Sequence, residues 1–361
     1  MVTSRLCLAA WIAVLAVAAP ASAGRRRPAA ASDRATGPLI VRGTPGSPGA
    51  ALDPRAPPAP GCAASAAADF AERAALPEWP SSTSVSKTSR TGPHPRVYPA
   101  VSPSQVPPQC SPTAWAWERV VSAMLQTNAL GLNYCHHHAP AWVTPLEQRA
   151  RCDAEADVGG TCNCNLVGLE TRPRPWQGLD CSNYAAWVYN FAFGYYPTSA
   201  IGAQACSPRS APGRLLANVT RRDQARLAPG DLLFITGSTA GRTPPLRVSH
   251  VIMWTGLAVD FTPGAGGPLA NATLVAALPA KQRPGAVKCI ADARAAGRPV
   301  WVISDSTHDG PALRPFCGWY YSSFAFARRI INPPADAPVN DEAVALYDAE
   351  RDDCMATLSL Q

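Results

Sequence analysis

In the stretch Gly178-Leu-Asp-Cys-Ser-Asn-Tyr-Ala-Ala-Trp-Val-Tyr-Asn-Phe-Ala-Phe-Gly194, a cysteine opens a run of helical character. Cysteine is a nucleophile only as its thiolate. The first turn of a helix exposes unpaired N–H groups and the positive end of the dipole, both of which favour an anion. Cys181 stands where that turn should begin. Useful chemistry also needs a base within hydrogen-bond reach, and a third polar group to hold the base. The six histidines are His94, His136, His137, His138, His250 and His308. His250 lies in Arg-Val-Ser-His-Val-Ile-Met-Trp-Thr-Gly, a strand pattern in which Val248, His250 and Ile252 should share one side. A histidine in so apolar a strand is also what a satisfied core residue looks like.

The elements that must position these residues read as helices first and strands after. Ser111-Pro112 starts a helix, with Ser at the N-cap and Pro in the first turn. Trp117, Val120, Val121, Met124 and Leu125 recur at helical spacing, and the helix should end near Ala129 before Gly131. A second helix is expected over 182–193, closed by Gly194. Strands are expected in 230–237, 248–256, 299–307 and 323–331. This order points to α+β, with N-terminal helices packed on an antiparallel sheet. The Cys-, Pro- and Gly-rich stretch from 135 to 177 reads as long, bridged loops.

The organisation follows. Residues 1–23 read as an export leader: Arg5, the apolar run Leu6–Ala18, then a small-residue cleavage site at Ala21-Ser22-Ala23. That run is too short to span a bilayer, and no second run suffices. Residues 24–108 are a Pro/Ala/Arg-rich linker or pro-segment that cannot offset its own ordering entropy, with a short helix conceivable over 66–75. Residues 109–335 are long enough for one core, and 336–361 form a tail. The chain has 12 cysteines, of which Cys7 leaves with the leader. An odd remainder in an oxidising compartment implies a free thiol or an intermolecular pair. If Cys181 is the free one, Cys62, Cys110, Cys135, Cys152, Cys162, Cys164, Cys206, Cys289, Cys317 and Cys354 remain to staple the fold. The net charge of +7 suits an anionic wall polymer or a plain solvated tail, and no nucleic-acid module is visible.

Asp180-Cys181-Ser182 at a helix start, Pro229-Gly230-Asp231-Leu232 at a strand entry and Ser249-His250-Val251 on the next strand resemble, in that order, the NlpC-type cell-wall peptidase family, as a divergent branch covering roughly 110–335. The resemblance implies a papain-like hydrolase of peptidoglycan peptides. It makes Cys181 the nucleophile and His250 the base. The third group would come from the following strand, Val-Trp-Val-Ile-Ser-Asp-Ser-Thr-His-Asp-Gly, where Asp305 is preferred and Ser304 and His308 compete. It places Tyr134, in Leu-Gly-Leu-Asn-Tyr-Cys-His-His-His, beside the site as a substrate or oxyanion contact. The family joins the two strands tightly, whereas 257–298 intervene here, with a helix expected around 286–296; such an insertion would cover the cleft. No cofactor is implied.

Several alternatives stay open. His136 and His138, with Cys135 or Cys162/Cys164, could form a zinc set, although oxidation favours bridges. Trp176, Trp187, Tyr189 and Phe191 read as core or cleft wall. Asn218 and Asn271 head glycosylation sequons. The competing function is a non-catalytic, disulfide-stapled binding domain with Cys181 bridged, and amidase or transacylase chemistry would suit the same scaffold. The expected chain is a secreted monomer, extracellular or periplasmic, acting on a peptide or amide.

Overall fold

The segment that opens on Cys181 is apolar on every side, so it must be buried on every side. In the computed structural model it is helix α2, Cys181–Phe193, and all its residues are buried. The described residues are 98–135 and 174–331, apart from 109, 207–212, 217–218, 220, 237–245, 262–268 and 308, with the backbone of 347–348 and 353–356. The leader, most of the 24–108 segment, His136–His138 and His308 lie outside them.

Helix α1, Pro112–Ala129, precedes α2. Ser111 Oγ accepts from the Ala114 amide at 3.1 Å, and Pro112 sits in the first turn. Its buried stripe is Trp115, Ala116, Arg119, Val120, Ala123, Met124 and Thr127; Trp117, Val121 and Leu125 are only partly covered. Arg119 donates Nε to Ala192 O, satisfying a carbonyl at the end of α2, while its head lies over Trp115. A parallel pair follows α1: β1, Leu132–Asn133, and β2, Arg174–Gly178. A Cβ on Gly178 would lie 2.2 Å from Asn133 O, so only glycine permits this approach just before Cys181. Helix α3, Ile201–Cys206, comes after α2.

The sheet has six antiparallel strands, in the order β3 (Arg214–Leu216), β8 (Phe324–Arg329), β4 (Leu232–Thr236), β5 (Leu246–Ala258), β6 (Trp301–Thr307) and β7 (Gly310–Pro315). Two further short strands, β9 (Tyr347–Asp348) and β10 (Asp353–Ala356), pair with each other, and β10 adds to β5 at Leu246 and Arg247. The tail at 336–361 therefore contributes to the sheet. Between β5 and β6 the insertion folds as α4, Asn271–Ala276, and α5, Arg283–Ala295. Helix α6, Trp319–Ser323, links β7 to β8.

Alternation along the strands divides the core into two. Phe234, Val251 and Met253 pack with Trp115, Val120, Met124, Trp187 and Val188 from α1 and α2. Leu233, Ile235, Ile252 and Trp254 pack with Ile290 of α5, Phe316 and Tyr320. Each large apolar side chain so buried contributes about 1.5–3 kcal/mol. Ordered packing begins before 109: Tyr98 meets Trp187 and Phe191 edge-on, and its amide donates to Asn190 Oδ1 at 3.0 Å.

One expectation needs correction, and one strand was not foreseen. Val248 does not share a side with His250 and Ile252: Ile235 pairs with His250 but Thr236 with Val248, so Ser249 is an extra residue and Val248 turns to the α2 core. Strand β7 was not expected because its two prolines mask it; they are tolerated at its second and last positions on a sheet edge. Of the two places open to Trp187, Tyr189 and Phe191, core or cleft wall, they take the core.

Candidate active site

Asp180 begins the site. It is the N-cap of α2, with extended backbone, and its Oδ1 accepts from the Asn183 amide at 2.8 Å and from Ser182 Oγ at 3.2 Å. Cys181 follows as the first helical residue, with its thiol at the positive end of the dipole. Gln204 of α3 donates Nε2 to Ser182 O at 2.9 Å, holding that first turn. Ser306 of β6 donates Oγ to Leu179 O at 2.6 Å, which fixes the head of α2 against the strand that carries Asp305.

His250 sits one residue beyond the Ser249 bulge, a device that re-aims a neighbouring side chain. The register sets Met253 of β5 against Ser304 of β6, so His250 meets Asp305 on the diagonal. His250 Nε2 donates to Asp305 Oδ1 at 2.8 Å, and Cys181 lies near enough to the same ring to act on its charge; Nδ1 is the nitrogen left for it. Burial works against a charged ring here. The Asp305 carboxylate and Cys181 outweigh it and push His250 up to about 10. Burial likewise works against the Asp305 anion, but His250, Arg314 and Tyr320 together hold that carboxyl below the usual range.

The competitor Ser304 faces the other way. It accepts from Asn128 Nδ2 at 2.9 Å and shares a short hydrogen bond with Tyr184 Oη, so it belongs to the packing of α1 and α2. Asp231, of the Pro-Gly-Asp-Leu motif, is also structural. It accepts from Arg329 at 2.9 and 2.7 Å and from the Ala228 amide at 2.8 Å.

Beside the ring opens a cavity of about 440 Å³, lined by Tyr134, His250, Thr307 and Trp319, with Lys281 and Gln282 from the insertion. Ser249 also reaches it. Trp319 stands 5.6 Å from the His250 ring. Burial, and after it the nearness of Cys181, Asp180 and Asp305, raise the Tyr134 hydroxyl far above its ordinary range. Its phenol is therefore a neutral hydrogen-bond donor at any working pH. The expected helix around 286–296 is α5, and the segment just ahead of it forms one wall of the cavity.

Among the described residues Cys181 is the free cysteine, while Cys289 bonds Cys317 and Cys110, Cys135 and Cys206 are also bonded. No group of three potential metal ligands occurs among the described residues; the His136–His138 run lies outside them. No helix among them is long and apolar enough to cross a membrane.

Two residues of the site had no sequence signal. Arg314 of β7 and Tyr320 of α6 both meet Asp305. Each sits among apolar or aromatic neighbours without a motif, and only the folded register brings them together. No protein-family model, curated protein or solved structure matches the chain.

Proposed function

We propose that the chain is an exported cysteine hydrolase that cleaves amide bonds through a thioester acyl-enzyme. The observation that carries this reading is a free thiol at a helix start sharing one imidazole with a buried carboxylate, His250 Nε2 to Asp305 Oδ1 at 2.8 Å. The binding-domain alternative requires a bridged Cys181, and the thiol is free.

The chemistry follows from the geometry. The Cys181 sulfur, its proton held by His250 Nδ1, attacks the scissile carbonyl carbon. The oxyanion that forms accepts from the Tyr134 hydroxyl and from amides of the first turn of α2. Collapse breaks the C–N bond, and the imidazolium proton passes to the leaving amine. Water then gives a proton to His250 and attacks the thioester; a carboxylic acid leaves and the thiol is restored. Asp305 keeps the ring oriented and stabilises its positive charge.

Peptidoglycan stem peptides are the proposed substrate. The support is the order of the Asp-Cys-Ser, Pro-Gly-Asp-Leu and Ser-His-Val motifs together with the leader-like start. Purified muropeptides digested with the wild-type chain and with Cys181→Ala, read by mass spectrometry, test it. New amine and carboxyl ends should appear with the wild type alone. Cleavage by both chains, or by neither, would end this reading.

A further inference from the structure

Asp305 has two carboxylate oxygens, and only Oδ1 faces His250. Oδ2 accepts from Tyr320 Oη at 2.6 Å and lies 3.6 Å from Arg314 Nε. None of the three is in contact with solvent: Asp305 and Arg314 are 0% exposed and Tyr320 1%. Arg314 has no freedom to swing away, because Nη1 donates to Ala277 O and Nη2 to Gly310 O at 3.3 Å. Tyr320 is equally constrained. The Cys289–Cys317 bridge ties the start of its helix to α5, and its ring packs in the apolar cluster with Trp254 and Phe316. Neither side chain lines the cavity.

A carboxyl group buried without such partners would tend to take up a proton and rotate. Its oxygen could then present a hydroxyl to the ring and force the other tautomer.

We propose that Tyr320 and Arg314 are positioning residues: by filling Oδ2 they lock the Asp305 side chain and keep Oδ1 an ionised acceptor, so that His250 carries its proton on Nε2 and presents Nδ1 to Cys181. This rests on the hydrolase reading of the site, but its first readout does not require a substrate. Both residues act through Asp305 and touch no reacting atom. The guanidinium, fixed to the insertion at Ala277 and to the β6–β7 turn at Gly310, also makes the pose of the carboxylate depend on the insertion being in place.

The test is the pH profile of iodoacetamide alkylation of Cys181 in the full chain, followed on the 178–194 peptide, for wild type, Tyr320→Phe, Asp305→Asn and the double variant. Wild type should react at pH 5–6, where an unassisted thiol does not. Tyr320→Phe removes one hydroxyl and should slow alkylation about tenfold at pH 6, with convergence by pH 10. On an amide substrate kcat should fall by a similar factor with KM unchanged. Because Tyr320 works through Asp305, the double variant should match Asp305→Asn alone. Arg314→Lys, which keeps the charge but not the fork, should lie between wild type and Tyr320→Phe; if that chain does not fold, Tyr320→Phe decides.

A wild-type profile in Tyr320→Phe, or an undiminished tenfold loss in the Asp305→Asn background, overturns the proposal. Alkylation that behaves as stated in a chain without amide turnover removes the hydrolase reading and leaves the positioning role standing. Amide turnover with profiles indifferent to Tyr320 does the reverse.

Discussion

His250 and Asp305 meet on the diagonal between two neighbouring strands, ring Nε2 to carboxylate Oδ1 at 2.8 Å, with both side chains almost sealed from water. The ring cannot choose its tautomer freely, because one nitrogen is committed to the carboxylate and the other is left for Cys181. That commitment generates an ordered set of expectations.

Cys181→Ala should abolish turnover and leave the fold intact, since a small side chain suits the first turn of a helix. His250→Ala should reduce kcat by about 10²–10⁴. Asp305→Ala should cost less than His250→Ala, because an orienting group contributes less than the base it orients. Steady-state kinetics on one amide substrate ranks the three, and an Asp305 variant worse than the His250 variant would contradict the assignment.

Ser304→Ala should leave turnover within about twofold and lower stability by about 1–2 kcal/mol, the loss of hydrogen bonds to Asn128 and Tyr184. Urea unfolding together with an activity assay separates the effects. A large loss of kcat at unchanged stability would move the third role from Asp305 to Ser304.

The pH dependence has a definite sign. His250 is pushed up to about 10 in the fold, above the roughly 6.5 of an unfolded chain. The stability it adds is therefore fully present below about 6.5 and fades as pH rises through about 10. Asp305 is lowered, so its contribution is present above about 3.9 and is lost as pH falls through its folded value. The destabilisation caused by Asp305→Asn should be greatest between about pH 4 and 6.5. The alkaline limb of kcat should stand near pH 10, where the imidazolium loses its proton; a limb below pH 8 would be incompatible with the pairing.

Asp180→Ala removes the cap from the nucleophile's helix and should cost about 1 kcal/mol, with Asp180→Ser recovering most of it. Thermal unfolding of the two variants checks this, and equal melting temperatures for Ala and Ser would show the cap to be dispensable.

The Cys289–Cys317 bridge spans 28 residues of sequence, so Cys289→Ser with Cys317→Ser should lower stability by about 3–4 kcal/mol. Since Cys317 is two residues from Trp319, kcat should fall as well. Denaturant unfolding and turnover measured on the same preparation test both halves.

Much of this was legible along the chain because it is local. Ser111, Pro112, Asp180 and Gly194 announce helix ends through their own hydrogen-bonding and dihedral preferences, and α1 and α2 fall within a residue of where those signals put them. Strands β4, β5, β6 and β8 were visible as apolar runs, whereas β7, with its two prolines, was not. The bulge at Ser249 could not be read, because it is a relation between β4 and β5, and it overturned the shared side expected of Val248 and His250. Asp305 was preferred to Ser304 on the chemistry of a carboxylate alone: adjacent strand residues point to opposite faces, and only the register of β5 against β6 decides which face holds the histidine.

By itself, then, the order of residues determined the class of chemistry on offer, a cysteine at a capped helix start with few histidines to serve it, and an α+β arrangement of elements. Tertiary structure alone decided that Asp305 faces the ring and Ser304 does not, that Arg314 and Tyr320 hold the far carboxylate oxygen, and which residues of the insertion wall the cavity. Helix caps and strand patterns are set by neighbours a few residues apart. Strand register and the burial of a charge depend on segments more than fifty residues apart, as His250 and Asp305 are, and no local preference encodes them.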